Sequence, residues 1–145
     1  MTNPIDPRIV KFIKKHHVFT LATSSGNKPY TCTCFYVYQE ASNTIIFTSD
    51  YDTRHTREMT LQPLVSGAIA LETLIVGRIQ GIQFTGEVFE LKDEGYDIAH
   101  KAYVTKFPIA LLNNLVLWGI KLDFIKMTHN QLGFGVKLIW DKSRG

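Results

Sequence analysis

Apolar and polar residues alternate along most of this chain, and three stretches adopt the wider spacing of helices. Asp6-Pro7 reads as a helix start, with Asp6 able to cap and Pro7 at the first helical position. Ile9, Phe12, Ile13 and His16 follow at helical spacing, which predicts a short amphipathic helix to about Lys15. His17 to Thr23 then alternates, with Phe19 and Leu21 on one face and Val18, Thr20 and Ala22 on the other. Ser24 to Pro29 has the composition of a turn. Tyr30 to Tyr38 is a second strand, with Tyr30, Cys32, Cys34, Tyr36 and Tyr38 on one side and Thr31, Thr33, Phe35 and Val37 on the other. Neither side is strongly polar, as expected of a barrel wall that also meets a partner or a flat ligand.

Glu40 to Asn43 turns the chain into a third strand, Thr44 to Thr48, which hands over to a helix near Thr53. Beyond Pro63, Leu64 to Glu72 is a fourth strand and Ile79 to Leu91 a fifth, with Ile82, Phe84, Gly86 and Val88 on one side. Gly81 and Gly86 inside a strand predict a bulge or the close approach of another backbone. Asp93 can cap a helix from Glu94 to about Lys106, stopped by Pro108, with Ile98, Ala99, Ala102 and Tyr103 as its apolar face. Val116, Trp118, Ile120, Leu122 and Phe124 alternate as a sixth strand, and Phe134, Val136, Leu138 and Trp140 as a seventh. Antiparallel strands with short turns and three helices predict a mainly β fold, a small closed β-barrel with helices at its ends or outside. One domain over residues 1–145 is the economical division.

Composition narrows the function classes. The chain is 45% hydrophobic and 20% charged, the balance of a soluble globular protein. Its net charge of +3 is too small and too scattered to argue for nucleic acid. The densest basic run, Lys11, Lys14, Lys15, His16 and His17, belongs to the solvated face of the first helix. No apolar run reaches the roughly 20 residues of a membrane span, and Met1 to Pro4 lacks the charged start of a secretory signal. Cys32 and Cys34 point the same way from one strand but stand too far apart to bridge easily, so reduced thiols in a cytoplasmic protein are expected.

Chemistry concentrates where the third strand becomes a helix, over Thr48, Ser49, Thr53, Arg54 and His55. The first amides of a helix are unpaired and its dipole is positive there, so hydroxyls and an arginine at that point suit a phosphate. The same residues also read as an ordinary capped helix. No Gly-rich phosphate loop or dinucleotide fingerprint is present. His16, His17, His55, His100 and His129 show no metal-ligand spacing with each other or with the cysteines, so no structural zinc is expected. Either cysteine would need a base such as His17 or His55 to act as a nucleophile, and a pair on one strand face equally reads as core or pocket lining. No catalytic residue is assignable.

From Lys28 to Val65 the order of parts resembles the flavin-binding split barrel of the pyridoxamine-phosphate-oxidase superfamily. The residues that carry this are Thr48, Thr53-Arg54-His55, Met59, Pro63 and Val65. Over nearly the whole chain the sequence is similar to the bacterial YhbP-like family. The matching segments are Thr53-Arg54-His55, Gly81 to Glu87, Lys101-Ala102-Tyr103, Phe107-Pro108, and the tail from Trp118 through Leu132 to Gly135 and on to Trp140. The resemblance implies an antiparallel split β-barrel of the flavin-reductase type, forming a homodimer with FMN in a groove between the subunits. It implies that Thr48, Ser49, Thr53, Arg54 and His55 receive the FMN phosphate, and that Thr33, Cys34, Phe35 and Tyr36 lie along the ring. It further implies a flavin-dependent oxidoreductase acting on an unidentified small molecule. The alternative is a carrier or sensor of flavin or haem without turnover.

Two departures bear on these expectations. His55 stands where the superfamily places a lysine, so its contribution depends on its protonation state. Tyr30 to Tyr38 contains no Arg or Lys, whereas pyridoxamine-phosphate oxidases carry basic residues on this strand. That particular oxidase activity is therefore not expected.

Overall fold

A computed structural model describes residues 3–144; Met1 and Thr2, on which part of the signal-peptide reading rests, lie outside the described residues. Helix α1 (Pro7–Lys15) is followed by strands β1 (Val18–Ser25), β2 (Lys28–Gln39) and β3 (Thr44–Thr48). Helix α2 (Arg54–Leu61), strands β4 (Leu64–Ala70) and β5 (Gln80–Glu90), helix α3 (Asp93–Lys106), and strands β6 (Leu117–His129) and β7 (Lys137–Asp141) complete the order. The capped start of α1 forms as expected, with the Asp6 side chain accepting from the Arg8 amide. β1 and β2 are joined through Gly26 and Asn27, both with positive φ (54° and 63°), the backbone that a two-residue hairpin turn requires.

The strands pair in the order β3-β2-β1-β4-β5-β6-β7, and β3 also pairs with β6. That second pairing closes a six-stranded ring. One edge of β6 is shared: Leu117–Lys121 pairs with β3, and Phe124–Thr128 pairs with β7. The ring is therefore split at the middle of β6, where the two neighbours diverge.

Phe19, Leu21, Tyr36, Ile45, Phe47, Ile69, Ile82, Phe84, Ile125 and Met127 fill the interior. Helix α1 contributes Ile9, Phe12 and Ile13, and α2 contributes Met59. Each large apolar side chain so buried contributes roughly 1.5–3 kcal/mol. Helix α3 lies outside, where Ala99 and Tyr103 cover Ile46 and Leu117. This explains why Leu117, Trp118, Gly119 and Ile120 are buried in succession: α3 covers one side of the strand and the barrel core the other.

Several expectations need correction. Asp93 does not cap α3; it is the first helical residue, at φ +55°, and the cap position is Lys92. The inner face of α3 runs through Tyr96, Ala99, Tyr103 and Phe107, leaving Ile98 exposed. The β5–β6 register shifts between Thr85 and Gly86, which pair with Phe124 and Leu122 and leave Asp123 as the extra residue. The bulge reverses the phase of β6, so Ile125 and Met127 point inward and Phe124 does not continue the buried face. β7 begins only at Lys137, because Gly133 and Gly135 take positive φ and hold Phe134 in an exposed turn.

Candidate functional site

Ser49 is the first residue past β3, and its backbone is fixed from both sides. Its amide donates to the Val116 carbonyl at 3.2 Å, and its carbonyl accepts from the Trp118 indole N–H at 3.0 Å. Thr48 Oγ1 donates to the same Val116 carbonyl at 2.9 Å. Thr53 caps α2, its Oγ1 accepting from the Thr56 amide at 3.3 Å. The amides of Arg54 and His55 open the helix and have no carbonyl one turn earlier within it.

The Ser49 hydroxyl is buried and joins these parts. It lies 2.8 Å from Thr56 Oγ1 and 3.4 Å from Thr53 Oγ1, and it is hydrogen-bonded to His55 Nε2. Burial pushes the His55 imidazole below its ordinary value of 6.5, so the ring is neutral near pH 7. Outside this cluster the Arg54 guanidinium lies 4.0 Å from the centre of the Tyr30 ring, and its Nε donates to Glu58 Oε2 at 3.0 Å. Glu58 Oε1 accepts from Thr23 Oγ1 at 2.9 Å. The hydrogen bonds from Arg54 and Thr23 hold the Glu58 carboxyl below the usual range. The arginine stays half-exposed. The helix-start amides and the half-exposed guanidinium are donors suited to a phosphate, whereas Thr48 and Thr53 donate their hydroxyl protons to the Val116 and Asp50 carbonyls.

The neutral state of His55 has a consequence for stability. Because the unfolded imidazole binds a proton more readily, the folded state gains stability above about pH 6.5 and loses it as pH falls through the lowered folded value. A His55→Gln variant is expected to lose less melting temperature than wild type between pH 7 and pH 5. Parallel losses in the two proteins would remove His55 from this role.

The four residues expected along a ring divide between two faces of β2. Cys34 and Tyr36 point inward, while Thr33 and Phe35 are exposed. Tyr36 is fully buried; its hydroxyl donates to the Ile13 carbonyl at 2.6 Å, and the Lys106 ammonium lies 4.7 Å from the centre of its ring. Its side chain is committed to the core. Phe35 is 55% exposed and packs edge-on against Phe107 at 5.4 Å.

The structure also joins residues that spacing did not connect. Cys32 Sγ and Cys34 Sγ are 3.8 Å apart as free thiols, and a ring nitrogen of His55 lies within 4.8 Å of both. The inner face of β2 and the start of α2 meet only through tertiary packing, so no motif between positions 32 and 55 announces the cluster. The hydrogen bond from its neighbour lowers the Cys32 thiol, whereas the same bond and burial push the Cys34 thiol up.

The ring split at β6, with a hydroxyl-lined helix start beside it, is the split barrel of proteins like pyridoxamine 5'-phosphate oxidase. The sequence profile of the pyridoxamine 5'-phosphate oxidase family matches residues 5–110. A UPF0306 protein of Yersinia enterocolitica is 40% identical over 143 residues, covering 98% of this chain and 97% of its own length. The chain belongs to the pyridoxamine 5'-phosphate oxidase family, and within it to the UPF0306 proteins. Among solved structures, a heme binding protein from Mycobacterium smegmatis superposes with a TM-score of 0.77 at 14% identity, covering 97% of this chain and 60% of that one. An FAD-binding protein from Mesorhizobium loti superposes with a TM-score of 0.69 at 18% identity, covering 83% of this chain and 89% of that one. Among the described residues, no helix is long and apolar enough to cross a membrane.

Proposed function

We propose that this chain binds FMN, holds its phosphate at the corner of Thr48, Ser49, Thr53, Arg54 and His55, and serves as a flavin-dependent oxidoreductase. The observation that carries the reading is the buried Ser49 hydroxyl, joined to Thr53, His55 and Thr56 beside a half-exposed guanidinium. Arg54 supplies the full positive charge and the opening amides of α2 orient the phosphate oxygens, while the Thr48 and Thr53 hydroxyls would have to exchange their present carbonyl acceptors for the phosphate. A neutral His55 adds one hydrogen bond and no charge, which weakens the grip relative to a lysine. Bound flavin would supply reversible hydride or electron transfer.

The ring would lie on the outward face of β2, beside Thr33 and Phe35, with Cys34 and Tyr36 supporting the strand from within. Phe35 packs on Phe107 there, and Ile109, Leu111 and Leu112, which follow Phe107 in the chain, are exposed, an apolar surface suited to a second copy of the chain. Sedimentation is expected to show a homodimer, and Leu112→Asp is expected to shift it toward monomer. A wild-type monomer at all concentrations would refute the pairing.

The haem- and FAD-binding split barrels favour a second reading, a carrier or sensor that binds a flavin or haem without turnover. FMN-loaded protein is expected to oxidise reduced nicotinamide in the presence of a common electron acceptor. Stoichiometric binding without such turnover supports the carrier reading, and no flavin binding at all removes the first proposal.

A further inference from the structure

We propose that Cys32, Cys34 and His55 form a binding site for one zinc-type cation at the junction of β2 and α2. Two sulfurs on one tetrahedral Zn²⁺, each about 2.3 Å from the ion, stand about 3.8 Å apart. Cys32 and Cys34 already have that separation, 3.8 Å. A sulfur and an imidazole nitrogen on the same ion stand roughly 3.5 Å apart, so His55, within 4.8 Å of both thiols, closes by a small rotation of its ring. The Ser49 hydroxyl is bonded to Nε2 of this ring, so coordination through Nδ1 would leave Nε2 on a hydrogen-bond partner, the usual arrangement for a metal-bound imidazole.

The chemistry of the three groups agrees with the geometry. Two thiolates and one neutral imidazole are ligands that zinc accepts, and burial keeps the His55 ring neutral and able to coordinate. On binding, both thiols release their protons to solvent, and the two thiolates cancel the charge of the ion. The filled site is then electrically neutral, which suits a position where Cys34 is buried and Cys32 half-buried. Three protein ligands leave the fourth position for water or an incoming anion. The inference does not rest on the flavin reading, although His55 is common to both, so bound zinc and FMN phosphate compete for it.

The test uses reduced, tag-free, metal-stripped protein without FMN, titrated anaerobically with Co²⁺ and then with Zn²⁺. One equivalent of Co²⁺ per chain is expected to give near-ultraviolet thiolate-to-metal absorption and visible bands of tetrahedral strength, both erased by Zn²⁺. Cys32→Ser is expected to halve the thiolate band and weaken Zn²⁺ binding roughly a hundredfold. Because Cys34 is buried and its replacement can unfold the chain, His55→Ala is the second variant; it should keep both thiolates and lose affinity. Absence of the thiolate band in wild type overturns the site. So does a full-strength band in folded Cys32→Ser, and unchanged Zn²⁺ affinity in His55→Ala removes the histidine. A failure of flavin binding leaves every one of these readouts unaltered.

Discussion

Gly86→Ala is expected to destabilise the protein by roughly 2–3 kcal/mol. A Cβ at this position would lie 2.5 Å from the Lys121 carbonyl oxygen and 2.7 Å from Ile120 Cγ2. The first of these is backbone, so the added methyl can be accommodated only by moving β6 away from β5. Gly86 borders the register shift that sets β6 against both neighbours, and β6 leads back to Val116, whose carbonyl accepts from Thr48 and Ser49. The strain therefore reaches the candidate phosphate corner through one strand. Gly95→Ala is the matching control: nothing closer than 3.8 Å would meet its Cβ, and alanine favours the helix by about 0.5–1 kcal/mol. Urea denaturation of both variants checks the contrast. A Gly86→Ala midpoint equal to wild type would mean that β5 and β6 are not packed this closely.

Arg54→Ala is expected to weaken FMN binding by roughly tenfold to a hundredfold, the range of one charge-assisted hydrogen bond. Riboflavin, which lacks the phosphate, should bind both proteins alike. The loss has an upper bound because Arg54 already bonds to Glu58 and stacks on Tyr30, and part of its charge is compensated before any ligand arrives. Removing the arginine also leaves Glu58 without its partner, although Thr23 still donates to that carboxylate and keeps the end of α2 in place. Quenching of flavin fluorescence measures all four affinities. Equal FMN affinity in the variant and wild type would take the arginine out of the site.

Much of the ring was legible in the alternation of residues. β1, β2 and β5 follow the expected faces because each turns one side toward the core. The glycine signal in β5 was also informative, since Gly86 does sit at a bulge. The alternation could not show what that bulge does to the opposite strand. Asp123 takes up one residue without a partner, so the pattern that began at Trp118 ends at Leu122 and a new phase begins at Ile125. Phe134 misled for a related reason: its spacing continues the alternation of Leu138 and Trp140, but the glycines beside it bend the backbone out of the sheet.

The site was legible in part. Thr48 to His55 are neighbours in sequence, so their convergence needed only a strand that ends and a helix that starts. The cysteine pair reached His55 through packing of α2 over β2, a contact between segments some twenty residues apart that no local spacing encodes. The division of Thr33, Cys34, Phe35 and Tyr36 between two faces follows from strand geometry, and the resemblance to a flavin groove did not resolve which side chains remain free.

Whether the corner at Ser49 and Arg54 holds a phosphate is read most directly from the ratio of FMN to riboflavin affinity in the wild-type protein at pH 7. The two ligands share the same ring and differ only in the phosphate. FMN is expected to bind at least roughly tenfold more tightly. Equal affinity for the two would contradict it.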